Sequence, residues 1–499
     1  LSGVNFPVQA KTLCPYLKVD VSSGLFNCDE LTYTVSYCNK GTTVAEDAYV
    51  IIDLDDKLDY GSSSIPLIAS TGNLYRFELG DIDLEECGSF EIHTPAIEDC
   101  NLYTLGTAYQ VEAKIYPDSL CVNPDPDWSR ASIKVTGTCD ELTEEVKFQI
   151  ENVGGGDMIE EEQFIVTQED LVFFQSDYQL PIGQAKNANF NADGTTYRII
   201  VYNPDGHPGN SYATVAVEGC GTDAGGDYST GYVTQFPEAD QLASVSKDVQ
   251  ESVENTDGTI LRGFPKGYGE EHFIPTVTGK QTDLTYHIQF QNEGQRNVKR
   301  VVIRDTLSPY LDVQSIIPGT SSHPYTYEVY GEGIVKFTFD NLDLPSSSVG
   351  AIGSKGFLKF RVSLLPNISN NTRIVNKAAV YMGYQKPIVS NEVFHTVGGE
   401  LEDFVTVVIS GTEDVLQSGV TVNVAPNPFA DFTTIMVDGL EENKLLSFIL
   451  HDTTGKVIRQ EQFAKNRFTF YRNALTSGMY FYKIEVEGQL LNAGKVLVK

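Results

Sequence analysis

"LTYTVSYCNKG" at residues 31–41 and "LTYHIQFQNEG" at residues 284–294 decide how this chain folds. They open a gapless match between residues 31–60 and 284–313. Leucine, threonine and tyrosine coincide first, then Asn39 with Asn292 and Gly41 with Gly294, then two leucines and an aspartate. A weaker third copy, "VKFQIENVGG" at 146–155, keeps the frame with Asn152 and Gly154. In each copy apolar residues stand six, four and two places before the asparagine, and a glycine stands two after it. That alternation predicts a strand with one face in a core. The Asn-x-Gly predicts a turn that tolerates positive φ. Turn chemistry accounts for both residues without a ligand. "AYVIIDL" and "VVIRDTL" then predict the returning strands.

Working outward, the same alternation recurs in "TYRIIVY", "VKFTF", "FLKFRVSL" and "YFYKIEVE", separated by Gly, Pro, Asn and Asp, with little that reads as helix. The expected fold is all-β: tandem immunoglobulin-like β-sandwiches with a small β-domain at the C-terminus. Expected boundaries are 1–138, 139–245 and 246–398 for three sandwiches, 399–420 for a connector, and 421–499 for the terminal domain.

All eight cysteines lie in the first 220 residues: Cys14, Cys28, Cys38, Cys87, Cys100, Cys121, Cys139 and Cys220. None forms C-x-x-C and no histidine stands at metal-ligand spacing from them, which argues against zinc. An even count in a strand-rich chain predicts disulfides and an oxidising compartment. Cys139 and Cys220 bracket the second expected domain and are the disulfide candidates. The first six allow 15 pairings, which stay open. Buried free thiols are the alternative.

The net charge of −33 argues against nucleic acid, whose binders need a basic stripe, and against an anionic membrane surface. Residues 419–499 carry a net +1, so the body alone carries −34. No apolar run approaches the ~20 residues of a membrane helix, so no membrane span is expected. The opening "LSGVNFPVQAKTLCPYL" has no basic leader region, which fits a mature form or a fragment.

Catalytic motifs are missing: no G-x-S-x-G, no H-E-x-x-H and no phosphate loop. His93, His207, His272, His287, His323, His395 and His451 are scattered, and His287 falls at a polar strand position expected to face solvent. The expectation is a non-enzyme without a cofactor, although carboxylates distant in sequence can still meet in a fold. Calcium is the one ion to weigh. "NPDPDW" sets Asn123, Asp125 and Asp127 at alternate positions, but Trp128 and Lys134 stand where an EF-hand needs Gly and Glu. Asp53, Asp55, Asp56 and Asp59 form another oxygen-rich run, for which a solvated surface is the default.

The tail has a recognisable pattern. "APNPF" (Ala425 to Phe429, with Pro426, Asn427 and Pro428) comes first. "FILHDTTGKVI" follows with Asp452, Gly455 and Lys456, then "LTSGMYFYKI" with Leu475, Gly478 and Tyr480, then "AGKVLVK" with Gly494, Lys495 and Lys499. Residues 421–499 so resemble the C-terminal sorting domain of type IX secretion substrates in Bacteroidota, with His451 where that family often has Tyr. The resemblance implies handling by the type IX secretion machinery, export across the outer membrane and, often, removal of the domain on arrival. The repeat in the body resembles the conserved-repeat immunoglobulin-like modules of large surface proteins of that phylum. There, O-glycans are attached at Asp-Ser/Thr-apolar tripeptides, which Asp118-Ser119-Leu120 and Asp305-Thr306-Leu307 match.

Together these imply a secreted or surface structural or adhesive protein that forms homo-oligomers or filaments, or associates with other surface proteins. The alternatives are the non-catalytic carrier region of a larger secreted hydrolase, or a carbohydrate-binding surface protein. The lone Trp128 and 26 tyrosines are what the sequence offers to a sugar.

Overall fold

The computed structural model describes residues 12–26, 28, 30–96, 104–118, 125–208, 212–223, 225–236, 242–254, 256–275, 283–331, 333–350, 352–398, 421–425, 427, 429, 432–438, 444–452, 456–463, 467–473, 475–486 and 489–499. The described residues are essentially all-β, and their strands stack as β-sandwiches. It divides into two compact units: Leu1–Glu160 with Leu180–Arg198 and Tyr202–Gly399, and Glu161–Gln179 with Ile199–Val201 and Glu400–Lys499.

In the first unit, an N-terminal sandwich faces two sheets together. One orders Leu17–Ser23, Leu31–Asn39, Cys87–Thr94 and Ser62–Ser63. The other orders Val245–Glu251, Ala108–Tyr116, Ala45–Leu54, Leu74–Ile82 and Leu67–Thr71. Tyr33, Val35, Val50, Ile52, Phe77 and Val111 fill the space between them. The edge strand Val245–Glu251 pairs antiparallel with Ala108–Tyr116 along its whole length, from Val245 opposite Lys114 to Glu251 opposite Ala108. Everything from Pro117 to Ser244 is therefore an insertion between two neighbouring strands of one sheet. Within the insertion, Ala185–Asn191, Glu145–Asn152 and Ile133–Asp140 form a three-stranded antiparallel sheet.

A central sandwich follows. Its sheets order Ile260–Phe264, Asp283–Gln291, Lys355–Ser363 and Ile317–Ser321, and Thr326–Tyr330, Ile334–Leu344, Val298–Thr306, Ala378–Met382 and Ile388–Val389. Tyr286, Ile288, Phe290, Phe337, Phe339 and Phe360 lie at its centre.

The three repeat asparagines are buried and bonded alike. Asn39 Oδ1 accepts from the Gly41 amide (2.9 Å) and the Tyr16 amide (3.2 Å), while Nδ2 donates to the carbonyls of Thr43 (2.8 Å) and Ile82 (3.0 Å). Asn152 Oδ1 accepts from Gly154 (3.1 Å) and Ser132 (3.2 Å), and Nδ2 donates to Gly156 (2.9 Å) and Leu180 (3.0 Å). Asn292 Oδ1 accepts from Gly294 (3.0 Å), and Nδ2 faces the carbonyls of Arg296 (2.9 Å), Leu344 and Pro345 (both 3.0 Å). In the N-terminal and central sandwiches the strand after the asparagine joins the facing sheet, so this is a sheet-to-sheet corner and not a hairpin. A corner leaves backbone groups without ladder partners, and one amide side chain can satisfy several of them.

The expectation of positive φ does not hold. Gly41, Gly154 and Gly294 are not among the positive-φ residues. Two of them are glycine because of crowding: a Cβ on Gly41 would lie 2.3 Å from the Tyr16 nitrogen, and one on Gly154 2.3 Å from the Arg130 carbonyl oxygen.

In the second unit, the strands Glu162–Gln168 and Leu171–Tyr178 pair antiparallel. The terminal domain orders Thr421–Ala425, Phe432–Asp438 and Arg467–Tyr471 in one sheet. Val457–Phe463, Leu446–His451, Gly478–Val486 and Gln489–Val498 make the other. Phe448, Phe470, Ile484 and Val496 are in its core.

Candidate functional site

A cluster of buried polar and charged side chains lies at the joint between the N-terminal and central sandwiches. It grows from the outward face of Leu17–Ser23. Alternation puts Leu17, Val19 and Val21 in the core, leaving Asp20 and Ser22 pointing out. Asp20 Oδ1 lies 2.7 Å from Lys359 Nζ and accepts from Ser246 Oγ (3.0 Å), and Oδ2 accepts from the Thr320 amide (2.6 Å). Lys359 also donates to the Val21 carbonyl at 2.6 Å. Burial pushes the Asp20 carboxyl up, but Lys359 and Thr320 outweigh it and hold it below the usual carboxylate range.

Asp248, on the shared edge strand, is buried beside them. It accepts from Ser22 Oγ (3.0 Å), the Ser23 amide (3.3 Å) and Gln250 Nε2 (3.1 Å). Burial raises its carboxyl, with Lys359 opposing. Across the joint, His287 Nε2 donates to the Ser23 carbonyl at 2.7 Å and Gln289 Oε1 accepts from the Leu25 amide at 2.9 Å. The expectation that His287 faces solvent is wrong. It is on the non-core face as the period requires, but the N-terminal sandwich covers that face, leaving the residue 1% exposed. Burial drives its pKa down to about 3, so the ring is neutral.

At the far end Glu251 binds three partners: Thr234 Oγ1 and Lys266 Nζ by short contacts, and Arg262 at 3.7 Å. Thr234 belongs to a loop of the insertion, Thr230–Phe236. Thr230 Oγ1 in that loop donates to the Leu105 carbonyl (2.9 Å), the Lys266 amide donates to the Thr234 carbonyl (2.8 Å), and Phe236 stacks on Tyr268. Glu218, also from the insertion, accepts from the Ala108 amide at 2.9 Å. Burial raises it to about 7. N-terminal sandwich, insertion and central sandwich thus meet around Glu251.

One signal in the sequence pointed here. Of the non-core positions of Asp283–Gln291, the run His287, Gln289 and Gln291 carries uncharged amides and an imidazole, and these three are the buried ones. Such side chains pair across a dry interface at lower desolvation cost than charges.

Cys139 and Cys220 form a disulfide with Cα atoms 5.4 Å apart. Cys38 and Cys87 form another, directly opposite one another on neighbouring strands. Cys14 and Cys28 are each in a disulfide as well. Cys100 and Cys121 lie outside the described residues.

In the terminal domain the first and last motifs meet. Asn427 Nδ2 donates to the Lys495 carbonyl (2.9 Å), and its Oδ1 accepts from the Leu497 amide (2.8 Å). Phe429 is buried; its amide donates to the Leu497 carbonyl (2.9 Å) and its carbonyl accepts from the Lys499 amide (2.8 Å). Gly478 has φ +154°, which side-chain-bearing residues rarely adopt. Gly494 leaves room for Tyr482, whose hydroxyl would be 2.6 Å from a Cβ there. Asp452 accepts from the Lys456 amide at 3.0 Å. Pro426, Pro428 and Gly455 lie outside the described residues.

Elsewhere, Asp305 is fully buried and its carboxyl, raised to about 7 by burial, accepts from Asn376 Nδ2 at 3.0 Å. Its neighbour Thr306 is exposed, so an enzyme reading the whole Asp-Thr-Leu tripeptide would have to act before folding. Ser119 and Leu120 lie outside the described residues. Among the described residues no group of three or more His, Cys, Asp or Glu is placed to hold a metal, and no helix is long and apolar enough to cross a membrane. Asp55 instead caps backbone, accepting from the Lys57 amide at 3.0 Å and the Gln110 amide at 2.9 Å. Asn123 lies outside the described residues. The Trp128 indole donates to the Ala131 carbonyl (2.9 Å), and Tyr49 and Tyr116 stack on each other under Arg76 and Lys114, so these rings are already partnered.

Two family models match the chain. One, the secretion system C-terminal sorting domain, matches residues 423–499; the other, a domain of unknown function (DUF7619), matches residues 266–396. Residues 423–499 are a type IX sorting domain, and such a domain marks secreted, cell-surface proteins. No curated protein sequence matches the chain. Solved structures similar to parts of it include BcpA, the major pilin subunit of Bacillus cereus, at 12% identity over 68% of this chain and 90% of that one, with a TM-score of 0.20. The collagen adhesin (CNA) from S. aureus is similar at 9% identity over 77% and 91%, with a TM-score of 0.20. The C-terminal domain of the Streptococcus agalactiae AgI/II polypeptide BspA is similar at 9% identity over 77% and 100%, with a TM-score of 0.19.

Proposed function

We propose that this chain is a secreted or cell-surface structural and adhesive protein, exported by the type IX secretion system, whose sandwiches build an extracellular assembly or appendage. The sorting domain at residues 423–499 carries the reading. The body supports it in a different way. A cluster of its buried charged side chains joins sandwiches to one another, as a load-bearing scaffold requires, and the raised carboxyls Glu218 and Asp305 are bonded to backbone and to Asn376. The chain is not an enzyme in this reading, and its partners are the secretion machinery and copies of itself or other surface proteins. The domain boundaries at 398 and 420 are part of the same proposal; those expected at 138 and 245 are corrected, since the first falls inside the strand Ile133–Asp140 and the second separates Val245–Glu251 from the sheet it completes.

Deleting residues 421–499 in the native host tests the export step: the body should vanish from the surface and medium and accumulate in the cell. Electron microscopy of native material tests assembly, which fails if only monomers are seen. A glycan-cleaving or glycan-binding activity of the purified chain would overturn the structural role.

A further inference from the structure

We infer that the joint locks the N-terminal and central sandwiches into one cooperative body, so that neither loosens without the other. Three observations combine. The edge strand Val245–Glu251 completes the sheet of the N-terminal sandwich, yet Gln250 and Glu251 on it bond Arg262 and Lys266 across the joint, and Asp248 on it lies in the field of Lys359. The charges are divided by side. Asp20, Asp248 and Glu251 come from the N-terminal sandwich, and Lys359, Arg262 and Lys266 from the central one. The side chains of Lys359, Arg262 and Glu251 are 12%, 14% and 4% exposed, so separating the sandwiches strips partners from groups that water reaches poorly. Breaking one buried pair leaves an uncompensated charge, which costs more than the pair contributes. Lys359 makes this acute, because it holds both the Asp20 side chain and the Val21 backbone.

The chain order adds to the lock. The edge strand arrives only after the insertion, and the insertion's loop Thr230–Phe236 is bonded to both sandwiches, through Leu105 on one side and Lys266 on the other. A joint bridged at both ends by separate elements resists hinge bending. The device sets a fixed angle between two sandwiches that their sequence alternation alone presents as independent beads.

Hydrogen exchange on the full chain in rising urea tests this. The amides of Leu31–Asn39 and Asp283–Gln291, central strands of the two sandwiches, should lose protection at the same urea concentration. Lys359→Met should lower protection of both strands together, by about tenfold or more, while Glu145–Asn152 in the insertion stays unchanged. Lys359→Arg, which keeps the charge, should restore most of it. Separate urea midpoints in the unaltered protein overturn the inference, and so does a Lys359→Met effect confined to the central sandwich. The unaltered chain decides the matter even where the Met variant fails to fold.

Discussion

Asn292 Oδ1 accepts a hydrogen bond from the Gly294 amide at 3.0 Å, and the same bond ties Asn152 to Gly154 and Asn39 to Gly41. The repeat in the sequence is therefore a repeat of a corner. Asn292→Ala should destabilise the central sandwich by about 2–4 kcal/mol, because several buried backbone groups lose their partner at once. Chemical denaturation followed by tyrosine fluorescence measures it. Asn292→Asp is expected to be no better, since a carboxylate has no N–H for the carbonyls of Arg296, Leu344 and Pro345.

Crowding at the corner gives a second test with an internal control. A methyl at position 154 meets the Arg130 carbonyl oxygen and the Ser132 nitrogen, 2.3 and 2.4 Å away, whereas one at 155 meets only the Arg130 Cβ at 4.0 Å. Gly154→Ala should lower the melting temperature markedly, and Gly155→Ala should leave it within a degree or so. Equal effects would mean that the backbone yields.

How much of this was legible beforehand differs by residue. Tyr286, Ile288 and Phe290 are buried as their alternation requires, because period two is fixed by backbone geometry. Leu54 and Leu58, matched to Leu307 and Leu311, are core residues in both copies. His287 was misread because alternation assigns a face but not what covers it. A joint made of polar side chains looks, residue by residue, like a wet surface. The role of Gly41 differs from the expectation for a related reason: crowding by the backbone of Cys14–Tyr16 can demand glycine as firmly as a dihedral does, and that backbone is distant in sequence.

The terminal domain offers a prediction about the export motif. Asn427 bonds the outer edge of the last strand twice, at Lys495 and Leu497. Asn427→Ala should free the final residues, seen as faster amide exchange at Lys495–Lys499 and easier clipping by carboxypeptidase, with the core around Phe448 intact. Phe429→Ala should go further and cost about 3–5 kcal/mol, as for a buried aromatic. Unchanged exchange in Asn427→Ala would show that the Phe429 backbone pairing suffices.

The Cys139–Cys220 bridge spans 81 residues of sequence. Replacing both by serine should destabilise the insertion by about 4 kcal/mol if chain entropy governs. The strands Glu145–Asn152 and Ile133–Asp140 should then lose protection at lower urea, and the N-terminal sandwich, held by its own contacts, should follow less.

Stability should peak in mildly acid solution, for reasons that can be separated by mutation. Asp305 and Glu218 have folded pKa values raised to about 7, against ordinary values of 3.8 and 4.5. Their contribution is full below the ordinary values and is lost as pH rises through 7. His287 and His395 are depressed to about 3 and about 4, from 6.5. Their contribution is full above 6.5 and is lost as pH falls towards 3. The two trends cross between them, so the melting temperature should be highest near the middle of that range and fall on both sides. Asp305→Asn removes a carboxyl that must stay protonated in the core, and should flatten the alkaline limb, whose size for one such group is on the order of 3 kcal/mol between pH 5 and 8. His287→Gln should flatten the acid limb instead, since an amide can donate to the Ser23 carbonyl and carries no proton to gain. A profile that stays monotonic in the unaltered chain, or one that neither variant alters, would place the controlling titration in groups other than these four.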